Sequence, residues 1–252
     1  MRKIKFFDCN CILGRVSVSK VGFPRSSSQL LEVMDYFGID DALVYHAAAK
    51  ESHPADGNKS LLDEIRGSRR LHPQWVLLPS HTGEFPGENE VVKKMLSLGV
   101  RAARVFPHQE RGNFSISDWC AGNLLAALSR RRIPLFIDSD EITWEAVHGI
   151  CEKYPNLPLV LTNVGYRIDR YLYPLFERFK NLYIEISGYC SAGGIEETVR
   201  RFGAKRLLFG TRLPFFTPAA AVSMVLYCKI SDSEKRLIAG ENLRRLLEQV
   251  RK

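Results

Sequence analysis

Eight side chains in this 252-residue chain have the types and placement to do chemistry: Asp8, Asn10, His46, Arg104, His108, Asp138, Asn163 and Arg212. Asp138 or Asp8 could act as a general base, and His108 or His46 as the acid that returns the proton. Arg212, together with Arg104, offers guanidinium forks that hold a carboxylate or phosphate group through paired hydrogen bonds. Asn10 and Asn163 would add neutral hydrogen-bonding groups to the same pocket. Such a set points to a small anionic organic substrate.

Each of these residues also has a structural use. Asn10 and Asn163 could hydrogen-bond one another, Asp138 could do no more than neutralise Arg212, and a buried pair of that kind would be a self-satisfied plug. His46, His81 and His108 are equally suited to ordinary packing or surface positions. Asp140, just before a helix expected near Thr143, has the type of an N-cap.

What must position these side chains is a repeating unit. Apolar, β-rich runs recur at 4–10, 41–46, 75–80, 100–106, 133–138, 158–163, 182–187 and 206–211. Helical periodicity lies between them at 29–37, 59–66, 89–98, 121–131, 143–153, 170–179 and 195–202, and an all-helical tail follows over 218–250. Eight short buried strands alternating with helices at this length predict a (β/α)8 barrel, the TIM-barrel architecture of the α/β class, as one domain over 1–252. In such a barrel, function gathers at the C-terminal ends of the strands. The eight residues above fall at or near those ends. Alternation along the first strand, FFDCNCILG, predicts Asp8, Asn10 and Ile12 on the barrel-facing side and Cys9 and Cys11 toward the helices, as small buried hydrophobes.

Composition narrows the function classes. Lys and Arg number 36 against 28 Asp and Glu, a formal +8, but Arg130-Arg131-Arg132, Arg200-Arg201 and Arg244-Arg245 sit near helix ends, where cations complement the dipole. With no aromatic-interleaved basic groove, nucleic acid is not expected as a partner. No run approaches the roughly 18 apolar residues of a membrane span, so no membrane is expected either. The six cysteines at 9, 11, 120, 151, 190 and 228 lack paired spacings and suggest free thiols in a reducing cytoplasm.

The segments 31–46, 99–108, 132–138, 154–165, 181–187 and 206–218 together resemble the amidohydrolase superfamily, in its amidohydrolase-2 branch of small barrels that includes decarboxylases and lactonases. In that family strand one ends in Asp-x-His-x-His, strands five and six each end in His, and strand eight ends in Gly-Ser-Asp-x-Pro. The resemblance implies a divalent metal held by these groups. The corresponding positions here are Asn10, Ile12, Asp138, Asn163 and Arg212, and Asp8 matches the family's first Asp. Asn is a poor zinc ligand, Ile is none, and Arg repels a cation. The expectation is therefore no bound metal and no cofactor. Three functions stay open. One is a metal-independent hydrolase or lyase acting on a small carboxylate- or phosphate-bearing compound such as a lactone, ester or amide. Another is a non-catalytic small-anion or partner binder, and the third a metal hydrolase with ligands replaced by Asp8, Asp138, Glu185 and a loop histidine. The family also implies a homodimer.

Overall fold

The computed structural model describes residues 4–18 and 22–251. Strand segments run in the order β1 (Phe6–Leu13), β2 (Ile39–His46), β3 (Leu71–Pro73), β4 (Trp75–Val76), β5 (Ala103–Val105), β6 (Leu135–Asp138), β7 (Leu159–Thr162), β8 (Leu182–Glu185) and β9 (Leu207–Leu208). Neighbours pair in parallel throughout. Segments β3 and β4 are halves of one stave parted at Gln74. The Gln74 N–H donates to the Val44 carbonyl at 2.8 Å on one side, and the Trp75 N–H donates to Ala102 at 3.1 Å on the other. The Cys9 N–H donates to Phe209 at 3.0 Å and the Ile12 N–H to Leu213 at 2.9 Å, which closes the ring. The result is the (β/α)8 barrel that the alternation predicts.

Around it lie α1 (Ser27–Phe37), α2 (Ala47–Glu51), α3 (Pro54–Glu64), α4 (Glu88–Ser97), α5 (Asp118–Arg131), α6 (Trp144–Lys153), α7 (Asp169–Arg178), α8 (Gly194–Phe202), α9 (Pro218–Tyr227), α10 (Asp232–Arg236) and α11 (Asn242–Glu248). Local chemistry sets several boundaries. Ser26 caps α1 by accepting from the Gln29 N–H, and Gly38 ends it at φ 70°, a left-handed conformation that glycine adopts without a steric penalty. Thr143, not Asp140, caps α6 by accepting from the Ala146 N–H. The expected helical tail is interrupted between α9 and α10, where Ser231 and Glu234 form a reciprocal capping box. Among the described residues no helix is long and apolar enough to cross a membrane.

Strand parity sorts the side chains into layers. The floor of the barrel is Phe7, Cys9, Leu43, Ala102, Phe136, Val160 and Leu208, sealed by Leu243, Leu246 and Leu247 of α11. Two residues further along the same inward-facing rows come Tyr45, Arg104, Asp138 and Thr162. Near the mouth, Ile12, Val16, Tyr45, Val76 and Phe106 form a second apolar cluster. Between floor and mouth, the barrel therefore holds a polar layer.

Candidate functional site

Arg104 is the centre of that layer. Its side chain is fully buried, which is costly for a guanidinium unless charge and hydrogen bonds are both satisfied. Here four groups satisfy it. Nε donates to Gln74 Oε1 at 2.8 Å, Nη1 donates to Asp138 Oδ1 at 2.7 Å and Thr162 Oγ1 at 3.2 Å, and Nη2 donates to Asn10 Oδ1 at 3.0 Å. The Tyr45 ring covers one face, its centroid 4.7 Å from Cζ. Thr162 also donates to Asp138 Oδ1 at 2.5 Å. Burial pushes the Asp138 carboxyl upward, but Arg104, then Lys50, Thr162 and Arg212, outweigh it and hold the group below its ordinary range. Asp138 is thus an ionised, weakly basic carboxylate.

The layer continues through Asn10, whose Nδ2 donates to Glu185 Oε2 at 3.1 Å and to Asn163 Oδ1 at 3.5 Å. Ser187 Oγ donates to the same Glu185 oxygen at 3.0 Å. Gly210 makes room for this carboxylate, since a Cβ there would lie 2.5 Å from Glu185 Cγ. Burial raises the Glu185 pKa against the opposing hydrogen bonds of Ser187. Asn163 and Arg212 both have φ of 56°, a conformation uncommon for non-glycine residues. Gln74 and Thr162 complete the layer without belonging to the set read from sequence, and Glu185, expected only as a replacement metal ligand, joins it as the acceptor of Asn10 and Ser187.

Asp8 is placed differently from the sequence expectation. A register shift in β1 between Asp8 and Cys11 breaks the alternation. Cys9 consequently joins the barrel floor, while Cys11 alone packs toward the helices. Both thiols are buried, and burial raises their pKa well above the usual value. Asp8 turns to the seam beside β9, where Oδ1 accepts the N–H groups of Asn10 at 2.9 Å and Thr211 at 3.0 Å, and Oδ2 accepts the Thr211 hydroxyl. Its hydrogen bonds close the barrel and leave it outside the Arg104 cluster.

At the rim, the pair expected between Asp138 and Arg212 is not made. Arg104 takes the carboxylate, and the Arg212 guanidinium lies 5.0 Å above the Phe216 ring. His46 caps α2 by accepting the Ala48 N–H at 3.2 Å on Nδ1 and places Nε2 3.7 Å from Glu64. His108 accepts the Glu110 N–H at 3.3 Å on Nδ1. His81 pairs with the Cys120 carbonyl at 2.6 Å. None of the three histidines joins the Arg104 cluster.

Lys50 has no counterpart in the sequence reading. It stands on α2, with Nζ 3.5 Å from Asp138 Oδ2 and 4.4 Å from the Phe106 ring centroid. Burial lowers its pKa, with Asp138 opposing that shift and Arg104 adding to it. Lys50 and Arg111 line two adjoining cavities of about 130 and 170 Å³, the first also bounded by Ile12, Tyr45 and Phe215. The placement of α2 depends on Gly57 of α3, where a Cβ would meet the Ala49 backbone N at 2.1 Å. Gly57→Ala should therefore displace α2 and cost about 1–3 kcal/mol. Thermal unfolding checks this against Gly149→Ala on α6, where a Cβ meets nothing within 4 Å and helix propensity favours alanine.

The donor set does not suit a divalent cation. Asp138 and the Asn10 carbonyl are committed to a permanent cation, Arg104, and the Asp8 oxygens to Thr211 and the Asn10 N–H. Among the described residues no three His, Cys, Asp or Glu side chains come together in a set that could hold a metal.

The family model described as amidohydrolase matches residues 82–249. Solved structures match over nearly the full length. A 2,6-dihydroxybenzoate decarboxylase from Rhizobium is 15% identical with a TM-score of 0.77, covering 98% of this chain and 99% of its own. A 5-carboxyvanillate decarboxylase from Novosphingobium aromaticivorans, complexed with manganese and 4-hydroxy-3-methoxy-5-nitrobenzoic acid, is 13% identical with a TM-score of 0.77 over 97% and 96% of the two chains. A putative amidohydrolase from Staphylococcus aureus is 14% identical with a TM-score of 0.76 over 97% and 99%. These likenesses show the fold. No curated protein matches the chain.

Proposed function

Because this chain belongs to the amidohydrolase family, we propose that it is a metal-independent member whose barrel mouth holds a small organic acid on fixed protein cations and cleaves it as a lyase. One observation carries this reading: the buried Arg104 guanidinium stands among Asn10, Asp138 and Thr162, neighbouring the positions where the family's ligands would gather, and takes Asn10 Oδ1, Asp138 Oδ1 and Thr162 Oγ1 as its acceptors. A permanent positive charge there substitutes for a divalent one in holding Asp138 ionised, but it has no open coordination position with which to activate water. Lyase chemistry needs no activated water, and the two decarboxylases among the structural neighbours support that direction.

Lys50, Arg111 and Arg212 supply the cations facing a substrate carboxylate. A second reading, anion binding without turnover, is favoured by the placement of His46 and His108, which cap or accept backbone N–H groups outside the Arg104 cluster, with His46 Nε2 turned toward Glu64. Metal analysis of the purified protein, paired with calorimetric titration of butyrate, tests the proposal. The expected result is no stoichiometric metal, butyrate binding that survives chelation, and affinity weakened tens-fold by Arg212→Ala, the fold-change that about 2–3 kcal/mol lost from a charged contact produces. Stoichiometric manganese or zinc, or butyrate binding abolished by chelator, would overturn it. Turnover of no tested acid by a protein that binds butyrate would select the second reading.

A further inference from the structure

We propose that Lys50 is a nucleophilic amine that forms an imine with a short-chain 3-oxo acid, and that this imine is the electron sink for loss of the carboxyl group as carbon dioxide. The inference rests on the anion-binding mouth proposed above and names its substrate class.

The geometry around Nζ differs from that of an ordinary ion pair. Lys50 is four-fifths buried at its side chain and 3.5 Å from Asp138 Oδ2, longer than the 2.7–2.9 Å typical of a charge-assisted hydrogen bond. The other Asp138 oxygen already accepts from Arg104 and Thr162. The Phe106 face at 4.4 Å and Asp138 attract an ammonium in this place, but burial and the Arg104 guanidinium, which shares its carboxylate, work against it and lower its pKa. A lysine largely withdrawn from water beside another cation is the arrangement that activates an amine toward carbonyl carbon. The position is also rigid. His46 caps the helix that carries Lys50, Gly57 packs against the backbone of the preceding residue, and Glu51 accepts from the Ser17 N–H at 2.8 Å.

The space beside Lys50 limits the substrate. The cavity shared with Ile12 and Tyr45 holds about 130 Å³, the liquid volume of about four waters, which suits a short acyl chain. Arg111, lining both cavities with Lys50, faces that space with a carboxylate-binding fork. In the reaction the neutral amine attacks the ketone carbon, the carbinolamine takes up a proton from solvent and loses water, and a protonated imine results; that proton is returned when the amine is freed. The bond between the carboxyl carbon and the neighbouring methylene then breaks. Its electron pair moves into the imine to give an enamine, and carbon dioxide leaves. The enamine carbon takes a proton from water and a second water hydrolyses the imine, freeing the ketone and Lys50. The net change is replacement of the carboxylate by a proton, with no redox partner.

Borohydride reduction in the presence of acetoacetate, followed by peptide mapping, tests this on the full chain. The expected result is a stable secondary-amine adduct at Lys50 exceeding that at all other lysines together, absent in Lys50→Arg and Lys50→Met and suppressed by butyrate, which has the carboxylate but no ketone. Circular dichroism melts of both variants establish that they are folded. Adduct spread evenly over surface lysines, or none at Lys50, overturns the imine. In that event the butyrate titration separates the two claims: butyrate that still binds at the mouth leaves the anion reading standing, and butyrate that does not bind removes it as well. Adduct at Lys50 that butyrate fails to suppress supports the imine and counts against the anion site.

Discussion

Arg104→Met should lower the free energy of unfolding by about 3–5 kcal/mol, the cost of leaving one member of a buried ion pair uncompensated. Asp138 is 3% exposed, and after the substitution its nearest cation would be Lys50, at 3.5 Å. At about 2–4 °C per kcal/mol for a chain of this size, the melting temperature would fall by roughly 6–20 °C. Arg104→Lys should recover little, because one ammonium cannot reproduce a fork that reaches Gln74, Asp138, Thr162 and Asn10. The double change Arg104→Met with Asp138→Leu should be markedly more stable than Arg104→Met alone, since it removes both charges together. Acid separates the variants further. In the unaltered protein Asp138 has a depressed folded pKa, so its contribution is present above the ordinary carboxylate range of about 4 and is lost as pH falls through the folded value. Without Arg104, burial dominates and the folded pKa rises, so the variant loses stability as pH climbs above about 4. Denaturant titrations at both ends of that window decide the matter. An Arg104→Met variant within about 1 kcal/mol of the parent at neutral pH would show that the guanidinium is dispensable.

How much of this was readable beforehand differs element by element. The barrel was legible because eight runs of β-branched and aliphatic residues alternate with helical periodicity, and burial on both faces demands that pattern in a parallel sheet. The third stave begins at Leu71, ahead of the 75–80 that the apolar run predicts, because the break at Pro73-Gln74 divides the strand. Arg104 carried a signal: in VRAARVF it shares parity with Ala102 and Phe106, both inward-facing, so a guanidinium had to lie inside the barrel and find an anion there. Asp138 shares the inward row of Phe136 on the neighbouring strand. Pairing Asp138 with Arg212 instead followed the family's strand ends rather than this parity. The register shift beside Asp8 had no sequence mark, and it reversed the facing of Cys9. Lys50 was illegible for a different reason. It lies on a one-turn helix whose position is set by a backbone contact at Gly57, and no periodicity of so short a segment reports that.

The seam beside β9 carries the second large effect. Asp8→Ala would strip acceptors from two buried backbone donors, the N–H groups of Asn10 and Thr211. At about 1–3 kcal/mol for each orphaned donor, the loss would be about 2–6 kcal/mol. Asp8→Asn should cost far less, because its remaining oxygen can keep the backbone donors while the Thr211 hydroxyl turns to accept. The two substitutions also differ in their response to pH. Burial raises the folded pKa of Asp8, against hydrogen bonds from Thr211, Cys11 and the Asn10 N–H. A raised carboxyl pKa means that the folded protein binds the proton more tightly than the unfolded chain. Its contribution is therefore intact below about pH 4 and is lost as pH rises from there to the folded value, opposite in sign to that of Asp138. An asparagine cannot titrate, so the difference in unfolding free energy between Asp8→Asn and the parent should shift in favour of the variant from about pH 4 upward. Urea titrations of both proteins across that range read the difference directly. A difference that stays flat, with Asp8→Ala costing as little as Asp8→Asn, would mean that the seam is held by the backbone bonds of Cys9 to Phe209 and Ile12 to Leu213, and that Asp8 contributes nothing to closing the barrel.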